Sequence, residues 1–183
     1  VFLVNSILIF FVLFGPATAY YFARFVRGPK PRASASYPTF ENKKISREIF
    51  LEHDRVAASY TYYSFIGWRK QLVNLKYTNV DPPYNTRRSI GQGLNKSYWF
   101  FGGSTMWGNG VSDINTIPSH FYKISGKSVY NFGEGGWGSR QSLNQLISII
   151  SHKQLPQTVV FYDGVNDVQH QCRTEIVDLP SHS

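Results

Sequence analysis

The period of hydrophobic positions changes along the chain, and each change marks a different kind of segment. From Val1 to Phe14 nearly every residue is apolar, with Asn5 and Ser6 the exceptions, and no charged side chain occurs before Arg24. Such a run predicts a membrane or signal helix over residues 1–27. Spanning a bilayer takes about twenty apolar residues. Gly15-Pro16 followed by Ala17-Thr18-Ala19 suits a cleavage site, while Tyr20, Tyr21 and Arg24 suit the interfacial end of an uncleaved anchor. Both readings stay open. Residues 28–39, with Pro29, Pro31, Pro38, Ser34 and Ser36, read as a linker.

Residues 40–95 keep no sustained period. Ile45 to Tyr60 has helical character, and Tyr60, Tyr62, Tyr63, Phe65 and Trp68 then lead into Asp81-Pro82-Pro83 and Arg87-Arg88. We read 40–95 as an aromatic-rich N-terminal extension. Its rings serve chiefly as packing surface, with a carbohydrate-stacking surface or an acyl-chain groove as the alternative.

From residue 97 the pattern becomes regular. Ser97 to Phe101, Ser128 to Phe132 and Thr158 to Tyr162 are short apolar runs of strand type. Between them, Ile117 to Ile124 predicts a helix with Pro118 in its first turn, and Leu143, Leu146, Ile147 and Ile150 recur at helical spacing on one face. Strands alternating with helices predict an α/β domain over 96–183, a three-layer α/β/α sandwich built on a parallel sheet.

Charge changes the picture in one place. The chain carries a net +8, but Arg24, Arg27, Lys30, Arg32, Lys43, Lys44 and Arg47 against Glu41 put +6 of it into residues 24–47 and leave the remainder near balance. A basic cluster after an apolar run is the flank of a membrane segment and no nucleic-acid footprint, so nucleic acid is not expected as a partner and a membrane contact through the N-terminal segment is. The visible basic flank alone would orient the body towards the cytoplasm, but residues preceding Val1 bear on that balance. The expectation is a membrane-anchored or exported protein with an extracytoplasmic body. Cys172 is alone, and His53, His120, His152, His170 and His182 show no metal-ligand spacing, so neither metal nor cofactor is expected.

The candidate chemistry lies in three segments, each just after a predicted strand: Gly102-Gly103-Ser104, then Gly133-Glu134-Gly135-Gly136, then Gly164-Val165-Asn166-Asp167. Loops at the carboxyl ends of strands are where open α/β sheets place their sites, so the three are expected to converge. They would assemble a hydroxyl, a glycine-lined turn and a side-chain amide, the set that acyl transfer needs: a nucleophile, and N–H donors aimed at a developing oxyanion. In these residues the chain resembles the SGNH, or GDSL-type, hydrolases, over roughly residues 97 to 170. The resemblance implies a flavodoxin-like fold, Ser104 as catalytic nucleophile, and an oxyanion hole made by the Ser104 and Gly136 N–H groups and the Asn166 amide. It implies an esterase or O-acyl transferase acting on an acylated glycan or lipid.

Two departures from that family pattern stand out. Gly103 replaces the acid before the nucleophile, and the family's C-terminal Asp-x-x-His block has no counterpart. Asp167 to His170 has the letters, but Asp167 already belongs to the third segment, and Asp178 to His182 is one residue too long. The catalytic Asp and His are therefore expected outside this chain, which reads as a fragment cut at both ends. A rival reading uses Gly133 to Gly138 as a Gly-x-Gly-x-x-Gly loop, with Asp163 ending the next strand as the ribose-binding acid of a dinucleotide-binding domain. A third keeps the fold as a non-catalytic glycan-binding module.

Overall fold

The computed structural model describes residues 14–23, 25–26, 40–93, 96–152 and 155–171. Residues 14–23 are helical and mostly exposed, and among the described residues no helix is long and apolar enough to cross a membrane. The rest of the apolar segment 1–27 and the linker, together with Cys172, Asp178 and His182, lie outside the described residues.

Helix α1 (Lys43–Ala57) starts where the Asn42 side chain accepts from the N–H groups of Lys44 and Ile45, both at 3.1 Å. Its inner face repeats at helical spacing: Ser46, Ile49, Phe50, His53 and Val56 are buried. A separate ribbon follows, β1 (Tyr60–Tyr63) paired antiparallel with β2 (Gly67–Lys70).

The main sheet contains β3 (Val73–Asn74), β4 (Asn79–Asp81), β5 (Thr86–Arg87), β6 (Tyr98–Gly102), β7 (Val129–Asn131) and β8 (Thr158–Tyr162), in the order β3-β4-β5-β7-β6-β8. β7, β6 and β8 run parallel, whereas β3, β4 and β5 are antiparallel and β5 joins β7 through Arg87 opposite Asn131. The sheet is therefore mixed where the sequence predicted a parallel one, and residues 73–87, assigned by sequence to an extension, complete the same sheet. The physical reason is that β7 would otherwise present an unpaired edge, and two- and three-residue strands suffice to cover it.

Helices lie on both faces. Alternate β6 residues point to opposite sides: Trp99 and Phe101 join Tyr130, Phe132 and Ile149, while Phe100 joins Met106 and Val129 with Phe121 and Tyr122 packed against them. The first cluster sits under α4 (Ser139–Ile150), the second under α3 (Ile117–Ser125). α3 begins at Thr116, whose hydroxyl accepts from the Ser119 N–H, with proline in the first turn as the sequence predicted. The short α2 (Ser104–Trp107) follows β6, and α5 (Val165–Gln171) follows β8.

α4 departs from its sequence reading. Its apolar stripe is largely outward, with Leu143 and Ile147 nearly half exposed, and the buried residues are Gln141, Ser142, Gln145 and Ile149. Polar contacts account for that choice. Gln141 accepts from the Gly138 N–H at 2.9 Å, and the Gln145 amide oxygen faces the Arg69 guanidinium, 2.8 Å from Nη2.

Candidate active site

Strand register brings the three glycine-bearing segments to one level. Gly102 pairs with Tyr162 across β6 and β8, and the Glu134 N–H donates to the Gly102 carbonyl at 2.9 Å, so the chain ends of β6, β7 and β8 lie side by side. Ser104 is the first residue of α2, behind the N-cap Gly103, and is partly exposed. Nothing within the helix accepts its N–H, because the first turn of any helix lacks those partners. The turn closes tightly: the N–H groups of Gly108 and Asn109 both reach the Ser104 carbonyl at 3.1 Å.

Gly136 lies in a turn in which the Trp137 N–H donates to the Glu134 carbonyl at 3.3 Å, and its φ of 79° is the left-handed value that a turn with glycine at the third position requires. Both ends of that turn are fixed. Glu134 is buried and ion-paired with Lys70, whose backbone N–H also donates to it at 3.3 Å. Trp137 is fully buried, and its indole N–H donates to the Trp68 carbonyl at 3.1 Å.

Asn166 joins the other two segments. Its Nδ2 donates to the Trp137 carbonyl at 2.7 Å, and a Cβ placed on Gly103 would lie 2.5 Å from that same Nδ2 and 3.3 Å from the Trp137 carbonyl oxygen. The missing acid at position 103 thus has a structural counterpart: only a residue without a side chain leaves room for the amide where it sits. Nδ2 carries two hydrogens, so one bonds Trp137 while the other remains for a ligand.

Asp167 is the residue whose role sequence reasoning missed. Its carboxylate accepts from the Ser139 N–H at 2.8 Å, at the start of α4, and from the Gly164 N–H at 3.0 Å. An acid three residues after an N-cap that reaches back to the cap's N–H is half of a capping box, and Gly164-x-x-Asp167 was the signal for it. The Lys70–Glu134 pair had no comparable signal, since its members stand 64 residues apart.

Asp163, beside these groups, is different. Burial pushes its carboxyl above the ordinary range, with the Ser142 hydroxyl easing the shift and the nearby Asp167 charge adding to it. Among the described residues neither oxygen of Asp163, nor the Ser142 hydroxyl, completes a hydrogen bond of normal geometry.

A cleft of about 290 Å³ opens beside the serine, lined by Ser104, Thr105, Gly108, Asn109, Val111, Asn115 and Ile117. Among the described residues no histidine hydrogen-bonds Ser104. His53 Nδ1 accepts from the Gly110 N–H at 3.2 Å, and His152 Nδ1 sits 2.8 Å from the Ser148 carbonyl. The His170 side chain lies outside the described residues, as does His182. The structure therefore brings Ser104, Gly136 and Asn166 into one loop cluster, with no base hydrogen-bonded to Ser104 among the described residues. No protein-family model matches the chain, and no curated protein matches it.

Proposed function

We propose that the chain is the nucleophile-bearing part of an SGNH-type esterase or O-acyl transferase. The observation that carries this reading is the packing of the Asn166 amide between Gly103 and the Trp137 carbonyl, which joins all three segments beside one serine. The strand order supports it. β7-β6-β8 is the 2-1-3 beginning of a flavodoxin-like sheet, whose switch point falls between the first and third strands, and the loops after those two strands hold Ser104 and Asn166.

In the reaction, Ser104 Oγ attacks the ester carbonyl carbon while a histidine takes its proton. That histidine comes from outside the described residues. The carbonyl oxygen becomes an anion facing the Ser104 and Gly136 N–H groups and the second Asn166 amide hydrogen. Collapse of the tetrahedral intermediate breaks the bond to the alcohol, which leaves with the histidine proton. Water or an acceptor hydroxyl then releases the acyl group from Ser104. The cleft beside Ser104 would hold a short acyl group against Val111 and Ile117.

The dinucleotide reading fits the sheet poorly. Its ribose acid belongs on the strand next to the one that feeds the glycine loop. Here β6 lies between β7, which leads into Gly133 to Gly138, and β8, which leads into Asp163. One specific observation favours the glycan-binding module: Tyr62 and Trp68 form an exposed edge-to-face pair with ring centroids 5.5 Å apart.

The test uses the protein that carries this chain together with its base. A fluorophosphonate probe is expected to label Ser104, and Ser104→Ala is expected to remove both labelling and hydrolysis of acetylated glycan or p-nitrophenyl acetate while leaving the fold intact. Full labelling in Ser104→Ala would overturn the assignment. Glycan binding without any turnover in the wild type would favour the module.

A further inference from the structure

A second cavity, of about 360 Å³, lies on the α4 face of the sheet between the β1–β2 ribbon, Tyr84 and the second half of α4. At 1.5 Å of rise per residue, Gln145 to Ile149 stand about 9 to 15 Å along the helix from Ser139, so this cavity is separate from the Ser104 cleft. Its cationic group is Arg69, which is buried. The guanidinium donates through Nη2 to the Asn85 carbonyl at 2.9 Å and to the Tyr84 carbonyl, and faces the Gln145 amide oxygen. Its Nε–H finds no acceptor among the described residues.

The local charge does not balance. Among the described residues Glu134 is the one carboxylate whose field bears on Arg69, and Glu134 is already ion-paired with Lys70. Two buried cations therefore share one buried anion. Among the described residues all of Arg69's acceptors are neutral amide oxygens, although burying a guanidinium costs far more when no counter-charge is near. The remaining walls are apolar or aromatic, with a polar end: Tyr63, Ile66, Pro83 and Tyr84 on one side, Ser148 and His152 on the other. The Tyr63 ring lies over the guanidinium, 5.7 Å from centroid to Cζ, and is partly exposed to solvent. The volume is at the lower end of the range for small-molecule sites.

We propose that this cavity binds a monocarboxylate borne on a single six-membered ring, its carboxylate neutralising Arg69 and its ring lying against Tyr63 and Tyr84. One excess positive charge calls for a monoanion, and the Nε–H left without an acceptor among the described residues offers a carboxylate oxygen one charge-assisted hydrogen bond. A sugar acid and an aromatic acid share this chemistry. The site does not depend on the Ser104 assignment.

Titration calorimetry and thermal shift on the full chain test it, with sodium D-glucuronate and sodium benzoate as probes and D-glucose and benzyl alcohol as their neutral counterparts. Saturable binding of at least one carboxylate, absent for its neutral counterpart, is expected, and the stronger of the two identifies the ring. Arg69→Lys should weaken binding by about tenfold or more, the size of one charge-assisted hydrogen bond. Should Arg69 variants fail to fold, Tyr63→Ala, at the partly exposed lip, should weaken binding while the chain stays folded. Ser104→Ala should bind as the wild type does. Equal response to acid and neutral ring, no saturable response to either acid, or unchanged affinity in both Arg69→Lys and Tyr63→Ala would overturn the proposal.

Discussion

On the antiparallel side of the sheet, β4, β5 and α1 meet through charged groups. Arg87, with no exposed surface, donates to Asp113 at 2.6 Å and to the Val111 carbonyl at 3.0 Å, Asn79 donates to the same aspartate at 3.1 Å, and His53 faces Arg87 at 3.4 Å. On the parallel side, β6, β7 and β8 meet through rings, with Phe101 stacked on Phe132 at 4.8 Å and on Phe161 at 5.3 Å, and the loops beyond them meet through glycines. One half fixes its geometry by satisfying buried charge, and the other keeps bare backbone where a ligand would approach. Trp107 couples the two. It ends α2, the helix that Ser104 begins, and its ring lies 4.0 Å from the Lys70 ammonium and 5.0 Å from the Arg87 guanidinium.

The comparison is broken most directly on the charged side. Asp113→Ala leaves Arg87 buried without its counter-charge, and should cost about 3–5 kcal/mol of stability in urea titration. The double variant Arg87→Met with Asp113→Leu should recover most of that loss, because replacing a whole buried pair by apolar groups is far cheaper than halving it. A cost below about 1 kcal/mol for Asp113→Ala would mean that the network is no more than a surface pair in its energetics.

On the loop side the expected effect is on rate. In the protein that includes the base, Asn166→Ala should lower kcat by roughly a hundred- to a thousandfold with little change in KM, the loss expected for one oxyanion donor. Because Nδ2 also bonds the Trp137 carbonyl, a stability loss of about 1 kcal/mol should accompany it. Unfolding as the dominant effect, or a kcat within a few-fold of wild type, would reduce Asn166 to a turn residue. Gly103→Ala is expected to act through the same amide, since its Cβ would force Nδ2 away from a 2.5 Å approach. Its effect on kcat should be about tenfold and should largely vanish in the Asn166→Ala background, as neighbours that share one interaction are not additive. Full additivity would separate the two residues.

The parallel half was legible in the sequence because its strands are continuous apolar runs ending in turn residues: β6, β7 and β8 begin and end within a residue of where Ser97–Phe101, Ser128–Phe132 and Thr158–Tyr162 placed them. The antiparallel half was not. In Thr86–Arg87 and Asn79–Asp81 every buried side chain except Val80 is polar, and their placement follows from an Arg87–Asp113 contact spanning 26 residues that no periodicity marks. The buried face of α4 escaped for the same reason. Gln141 and Gln145 are inside because a cap and a guanidinium need acceptors, and the apolar stripe lost that competition. The serine, the glycine turn and the amide were placed by motif order. The contacts that hold them, Asp167 to Ser139 and Lys70 to Glu134, are long-range and polar and left little trace in the pattern.

Two aspartates sharpen the contrast with the smallest expected effect. Burial pushes both Asp113 and Asp163 upward, but Arg87 and Asn79 pull Asp113 back, whereas among the described residues Asp163 has only the Ser142 hydroxyl to ease its shift and a second carboxylate nearby that adds to it. A carboxyl whose folded value is raised favours its protonated form in the folded state. Its contribution to stability is therefore fully present below the unfolded value, about 3.9, and is lost as pH rises through the raised folded value. At pH 7 the Asp163 carboxylate is a net cost. Asp163→Asn removes that cost, so its melting temperature should exceed the wild type's at pH 7, and the gain should shrink as the pH falls towards 4. Asp113 is also shifted upward overall, but Asp113→Asn strands the fully buried Arg87 guanidinium without its counter-charge, and that loss should outweigh the relief of the carboxylate and lower stability at pH 7. A melting-temperature series of the two variants against wild type checks both signs at once. If Asp163→Asn is less stable than wild type at pH 7, the Asp163 carboxylate has a partner in the folded protein, and the unmatched charge on the loop side belongs to a contact supplied from outside the described residues.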